Sequence, residues 1–265
     1  MPNHGLSATL VTALAAGLAL SFLTPFVAYL LLRLTTRLSI VDAAAVSAHY
    51  GSISAVTLVA VMGVLREMGL AFEGFMIAVA AVMETPAILS ALFLARRQRE
   101  TGHAAALARE ILLSGAVVML LGSFAIGAVT GERGSAILKP FLVDQFAGFL
   151  CLFLLDMGLV SGRGLRDGAR VLSTGTIAFA LIMPLAGASF ASALAPFVGL
   201  STGGTAILIT LAASASYIAV PAAMRLALPA ANPGLALALS LGVTFPFNLT
   251  LGIPLYIGLA QRITA

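Results

Sequence analysis

Residues 43–65 read AAAVSAHYGSISAVTLVAVMGVL, a run long enough to cross a bilayer that still carries Ser47, His49, Tyr50, Gly51, Ser52, Ser54 and Thr57. Hydrocarbon offers such groups no partners. Glycine costs about 1 kcal/mol in a helix interior, and serine hydroxyls compete for backbone hydrogen bonds. The spacing therefore predicts a membrane helix that is weak in its middle. A second run, 203–224 (GGTAILITLAASASYIAVPAAM), has the same character around Ser214 and Ser216, with Pro221 behind. Paired interruptions of this kind bring backbone groups to a mid-membrane binding site in secondary transporters.

Glu84 stands midway along a third apolar run, directly before Thr85-Pro86. An acid at that depth costs about 3 kcal/mol on insertion scales, which marks it as a functional candidate. Pro86 cannot donate to the carbonyl of Val82, and Pro246 leaves that of Gly242 free in the same way. Freed carbonyls, hydroxyls and one carboxylate form an oxygen-rich set suited to a hard cation, and a sodium ion at Ser54, Thr57, Glu84 and Ser214 is expected. The wider set expected to touch substrate or ion is Gly51, Ser52, Ser54, Thr57, Glu84, Thr85, Ser214 and Ser216, with Thr244 and Asn248 as counterparts in the last apolar run. Two bland readings stand beside this one. Ser47, Gly51 and Ser54 fall at i, i+4 and i+7, as do Thr210, Ser214 and Tyr217, and small residues at that spacing also serve close helix packing. Glu84 in turn is open to a structural role, hydrogen-bonded to His49 or to a neighbouring hydroxyl.

Other chemistries find little support. His4, His49 and His103 are scattered and Cys151 is the single cysteine, so neither a structural zinc site nor a disulfide is expected. The chain holds no HExxH, no GxSxG and no paired intramembrane aspartates, and no catalytic residue is assigned. Asp42 reads as a helix N-terminal acid and Asp156 as a cap, with Asp144 at the other end of the same apolar run. With no arginine at mid-membrane, an anionic substrate would rest on backbone N–H groups and the positive ends of half-helices.

Apolar helices must position these groups. Hydrophobic residues make up 60% of the chain and charged ones 9%, with a mean hydropathy of +1.09. A soluble chain would carry about a quarter charged residues. The fold class is therefore an all-α polytopic membrane protein. Runs of about 20 residues, enough for roughly 30 Å of hydrocarbon, fall at 8–32, 43–65, 72–95, 107–129, 140–160, 171–195, 203–224 and 234–260, eight spans in all. Residues 8–32 follow no charged leader segment and outrun a secretion signal, so they count as a span. The connection 96–106 is too short for a soluble domain.

Arg33, Arg37, Arg96, Arg97, Arg99, Arg109, Arg163, Arg166, Arg170 and Arg225 fall on one side, against Arg66, Arg133, Lys139 and Arg262 on the other, ten to four. The richer side is cytoplasmic. Both termini then face outward across the plasma (inner) membrane. The net charge of +4 comes from these loop residues, so it is an orientation signal and not a nucleic-acid surface. Spans one to three and six to eight run in opposite senses. An offset of 160 residues pairs Ser54 with Ser214, Ala55 with Ala215, Gly74 with Gly234, Pro86 with Pro246 and Leu89 with Leu249, while Pro25 meets Pro184 with a one-residue slip. This predicts an inverted repeat of five-plus-five type, with 1–98 as a three-span remnant of the first repeat and 107–265 as the second.

The chain resembles the sodium-dependent bicarbonate transporter family of bacterial permeases. The resemblance runs through Val41-Asp42-Ala43, Gly51, Ser54, Thr57, Met83-Glu84 and Pro86-Ala87. It resumes at Ala212-Ala213-Ser214, Ser216, Ile218, Pro221, Arg225, Pro229, Ala231-Asn232-Pro233 and the closing IPLYIGLAQ of Ile253–Gln261. It implies a gate and a core domain, a homotrimer, sodium-coupled bicarbonate uptake by symport and, for some members, a PII-like regulatory protein on the cytoplasmic face. Tyr217 stands where the family has an acid, Ala219, Val220, Ala222 and Ala223 where it has polar residues, and Glu84 where it has aspartate. By this resemblance the family's first two spans are expected to lack counterparts in this sequence. Transport of another small carboxylate with sodium or protons fits the altered second run, and a non-transporting membrane sensor, partnered with a signalling protein, fits the lost groups.

Overall fold

The computed structural model describes residues 8–95, 115–142 and 172–265, with isolated positions between 145 and 159. The described regular structure is helical throughout. In order it comprises α1 (Ala8–Thr35), α2 (Ile40–Gly51), α3 (Ala55–Glu67), α4 (Met76–Val82), α5 (Thr85–Leu94), α6 (Gly115–Leu142), α7 (Thr174–Val198), α8 (Thr202–Ala212), α9 (Ala219–Ala227) and α10, the run Pro233–Thr264. Five segments among the described residues are long and apolar enough to cross a membrane: α1, α2–α3 (Ile40–Glu67), α4–α5 (Met76–Leu94), α7 and α10. The connection 96–106, the start of the expected span 107–129, about half of that at 140–160, Asp144 and the arginines at 96–109 and 163–170 lie outside the described residues. Where a connection at 130–139 was expected, α6 continues helical, turned at Gly131, whose φ of 56° only glycine adopts at no cost.

The expected weak middles are breaks. In the run 43–65 the helix stops at Gly51, runs extended through Ser52–Ser54 and restarts at Ala55; in the run 203–224 it stops at Ala212 and restarts at Ala219. The Ser47/Gly51/Ser54 and Thr210/Ser214/Tyr217 stripes are therefore not continuous helix faces, because Ser54, Ser214 and Tyr217 have left the helix. The two prolines at the repeat offset act differently. At Pro86 the third span breaks between α4 and α5. At Pro246 the counterpart stays continuous by widening into π-turns at Ser240–Thr244 and Asn248–Gly252; a π-turn shifts the hydrogen-bond register around the missing N–H.

Close approach sets the packing. A Cβ on Gly51 would overlap the Pro25 ring of α1 and lie 2.9 Å from Ala87 Cβ of α5; one on Gly187 of α7 would overlap the Ala212 carbonyl at the end of α8. Each proline-bearing helix thus crosses a broken helix just ahead of its break. One apolar cluster gathers Leu58, Val61, Leu65, Met76, Ile207 and Tyr256, and others Val41, Ala44, Ala48, Ile88 and Val220, or Leu32, Val46 and Phe179. Between the clusters lies a buried polar band that includes Ser52, Ser54, Thr57, Glu84, Ser214, Ser216, Thr244 and Asn248. Leu23, Leu30, Ile182 and Phe197 stay exposed on α1 and α7, as a lipid-facing surface requires.

Candidate functional site

Breaking two helices inside an apolar slab leaves backbone groups that water cannot satisfy, so the breaks satisfy one another. The Ser216 N–H donates to the His49 carbonyl at 2.7 Å, and His49 Nδ1 meets the Ser216 carbonyl at 2.6 Å. Facing a carbonyl, Nδ1 carries the proton. The Ser54 N–H donates to Ser214 Oγ at 3.0 Å, while Ser214 Oγ donates to the Leu211 carbonyl at 2.8 Å. Ser54 Oγ caps α3, accepting from the Thr57 N–H at 3.1 Å and the Thr57 hydroxyl at 2.9 Å. Its own proton goes to the Tyr217 hydroxyl at 3.0 Å. Tyr217 only accepts in that bond, so its phenolic proton is free for another acceptor.

A cavity of about 40 Å³ lies at this crossing, lined by Ile53, Ser54, Ala55, Glu84, Ser216, Tyr217, Ile218 and Ala219. Three helices begin at its wall: Ala55 opens α3, Ala219 opens α9 and Glu84 immediately precedes α5. The N-terminal ends of their helix dipoles favour negative charge nearby. Glu84 occupies the capping position of α5 but makes no side-chain cap bond. Its carboxylate is buried, with Oε2 unpartnered, and it has no hydrogen bond to His49 or to a described hydroxyl. With no basic partner among the described residues, this buried carboxylate requires a cation or a proton for balance. Glu84, Ser54, Ser216 and Tyr217 supply oxygens only, the donor set a hard cation takes.

The other expected residues divide by role. Thr57 and Ser214 stand one hydrogen bond behind the cavity. Gly51 is the seat for Pro25; Ser52 is buried with its Oγ unpartnered; Thr85 is half-buried in the first turn of α5 and outside the cavity wall. Thr244 and Asn248 are tethers. Thr244 donates to the Ala180 carbonyl at 2.7 Å and so accepts from Tyr50, 2.8 Å away. Asn248 donates to the Ala213 carbonyl at 2.9 Å and accepts from Tyr256 at 2.8 Å. Three tyrosines therefore hold the polar band together, a role that pattern reading missed. The only sequence hint was an aromatic hydroxyl inside an apolar run, which needs a partner when buried. Among the described residues no cluster of His, Cys, Asp and Glu suits a chelated metal.

Fold and site together describe a helical protein with, among the described residues, five segments able to cross a membrane, in which two broken helices cross at a polar cavity, an arrangement that secondary transporters use. A family model described as "Na+-dependent bicarbonate transporter superfamily" matches residues 1–261, and the chain belongs to that superfamily. No curated protein matches it.

Proposed function

We propose that the chain is a secondary transporter that takes up bicarbonate with sodium as the coupling ion. The observation that carries this reading is the convergence of three helix starts and one unpartnered acid on one small mid-span cavity. The helix starts favour an anion, while Glu84 with the Ser54, Ser216 and Tyr217 oxygens favours a cation beside it. Bound together the two charges cancel, which lowers the cost of carrying either through the low-dielectric slab. Symport is the natural result. Nothing in this chemistry calls for a catalytic residue.

The same proposal includes eight spans in an inverted repeat, with 1–98 and 107–265 as its parts. Its support is that Ser54 bonds Ser214, the residue 160 positions on, since a contact between repeat mates falls on the repeat axis. The first and third spans of each triplet are also tied at matching places, by Ser21 Oγ donating to the Met83 carbonyl at 2.6 Å and Thr244 Oγ1 to that of Ala180 at 2.7 Å. A homotrimer in the plasma membrane, outward termini and a PII-like cytoplasmic partner rest on the arginine distribution and the family.

The test is uptake of labelled bicarbonate into proteoliposomes holding the full chain. An inward sodium gradient should accelerate it severalfold over equal sodium; uptake indifferent to every imposed gradient overturns the reading. A second reading, another small carboxylate moved with sodium or protons, is favoured by the apolar Ile53, Ile218 and Ala219 in the cavity wall. Competition by formate, acetate and lactate separates the two.

A further inference from the structure

A second cavity of about 80 Å³ lies between α2, the last turns of α9 and the start of α10, lined among others by His49, Pro221, Arg225, Pro229, Ala231 and Asn232. Among the described residues its polar lining is one guanidinium, one imidazole and one carboxamide, with no acid. Asp42, which accepts from the Asn232 N–H at 2.8 Å, has its second oxygen engaged by the Ser39 hydroxyl at 2.7 Å. Asn232 Oδ1 is likewise used, capping α10 through the Gly234 and Leu235 N–H groups. Arg225 is exposed and makes no ion pair among the described residues, so its planar fork is available to a carboxylate-shaped anion.

His49 joins this cavity to the crossing site. Its ring lines the Arg225 cavity, its Nδ1–H is held by the Ser216 carbonyl, and Ser216 lines the crossing cavity. His49 and Ser216, joined by that hydrogen bond, therefore link the two. We propose that the Arg225 cavity is a second anion site, a vestibule on the arginine-rich cytoplasmic side that takes a small monoanionic oxyanion such as bicarbonate or formate on Arg225 as it leaves the crossing site. The idea that the anion arrives from the crossing site rests on the transport reading above; the binding itself does not.

The experiment uses the full chain in nanodiscs of zwitterionic lipid, with Cys151→Ser and Ala231→Cys leaving one thiol at the cavity wall. The rate of labelling by a sulfonate-bearing thiol reagent is read with bicarbonate, formate, formamide or chloride present. Bicarbonate and formate should slow labelling about tenfold, the scale of a charge-assisted hydrogen-bonded pair, and neutral formamide should not. Arg225→Gln should abolish the protection and Arg225→Lys, which keeps charge without the fork, should retain part of it. Absence of protection by either oxyanion, protection that survives Arg225→Gln, or protection by added anionic lipid alone overturns the proposal. Uptake measured on the same protein keeps the two claims apart: protection without uptake removes the transport reading and leaves the site, and uptake without protection does the reverse.

Discussion

Glu84 and Asn248 are both buried polar side chains, 4% and 1% exposed, and they are held in opposite ways. Asn248 uses its donor on Ala213 and its acceptor on Tyr256, so Asn248→Ala strands two buried groups. That should lower stability by roughly 2 kcal/mol, read as a lower midpoint in thermal or denaturant unfolding of the detergent-solubilised chain. Glu84 Oε2 has no bond to lose, so Glu84→Gln should change stability by less than about 1 kcal/mol while removing the cation dependence of uptake. A Glu84→Gln variant as unstable as Asn248→Ala would make Glu84 a structural group. Both residues are visible in the sequence as polar intrusions into apolar runs. Their division of labour is not, because it depends on which carbonyl or hydroxyl lies within 3 Å. Tyr217 makes the same point: beside a family pattern it reads as a lost acid, and in the fold its hydroxyl is the partner of Ser54 and a free donor to the cavity.

At the scale of elements, the breaks follow from local chemistry and their sharpness from packing. Serines and glycine weaken residues 43–65, yet the α2 helix ends just where Pro25 of α1 presses on Gly51. Gly51→Val and Gly187→Val put side chains into the Pro25 ring and the Ala212 carbonyl, and each should cost about 1–3 kcal/mol through overpacking. Gly63 of α3 has open space where a Cβ would go, so Gly63→Ala should be neutral or stabilise by up to about 1 kcal/mol. Thermal midpoints of the three purified variants check this, and equal losses in all three would remove the crossing contacts as the cause. The third and last runs share a proline at the repeat offset, which suggested equivalent interruptions. Only one breaks, since α10 can absorb its proline in two π-turns while Glu84 opens a separate helix at the cavity wall.

Across the whole molecule, two acids from the N-terminal helices hold the C-terminal ones at opposite ends of the span Ile40–Glu67. Asp42 accepts from the Asn232 N–H at 2.8 Å. Glu73 accepts from the Ser201 N–H at 2.7 Å and from its hydroxyl at 3.0 Å. Shifted by 160 residues, one tie falls within a residue of the other. The span between them is roughly 40 Å long, so Asp42→Asn and Glu73→Gln should each cost about 1 kcal/mol and add without coupling. Denaturant midpoints of the single and double variants measure it, and strong non-additivity would mean that the two ends communicate. The sequence alone determined that this is a helical membrane protein, where its long apolar runs lie, and that polar groups such as Ser54, Ser214 and Glu84 interrupt them, because hydropathy and the cost of burying polar groups are local properties of the chain. Only the tertiary structure decided which of those polar groups face a cavity and which are tethers. It alone linked two cavities through His49 and Ser216 and aimed three helix starts at one of them, since hydrogen-bond partners 160 or more residues away are chosen by how the helices cross.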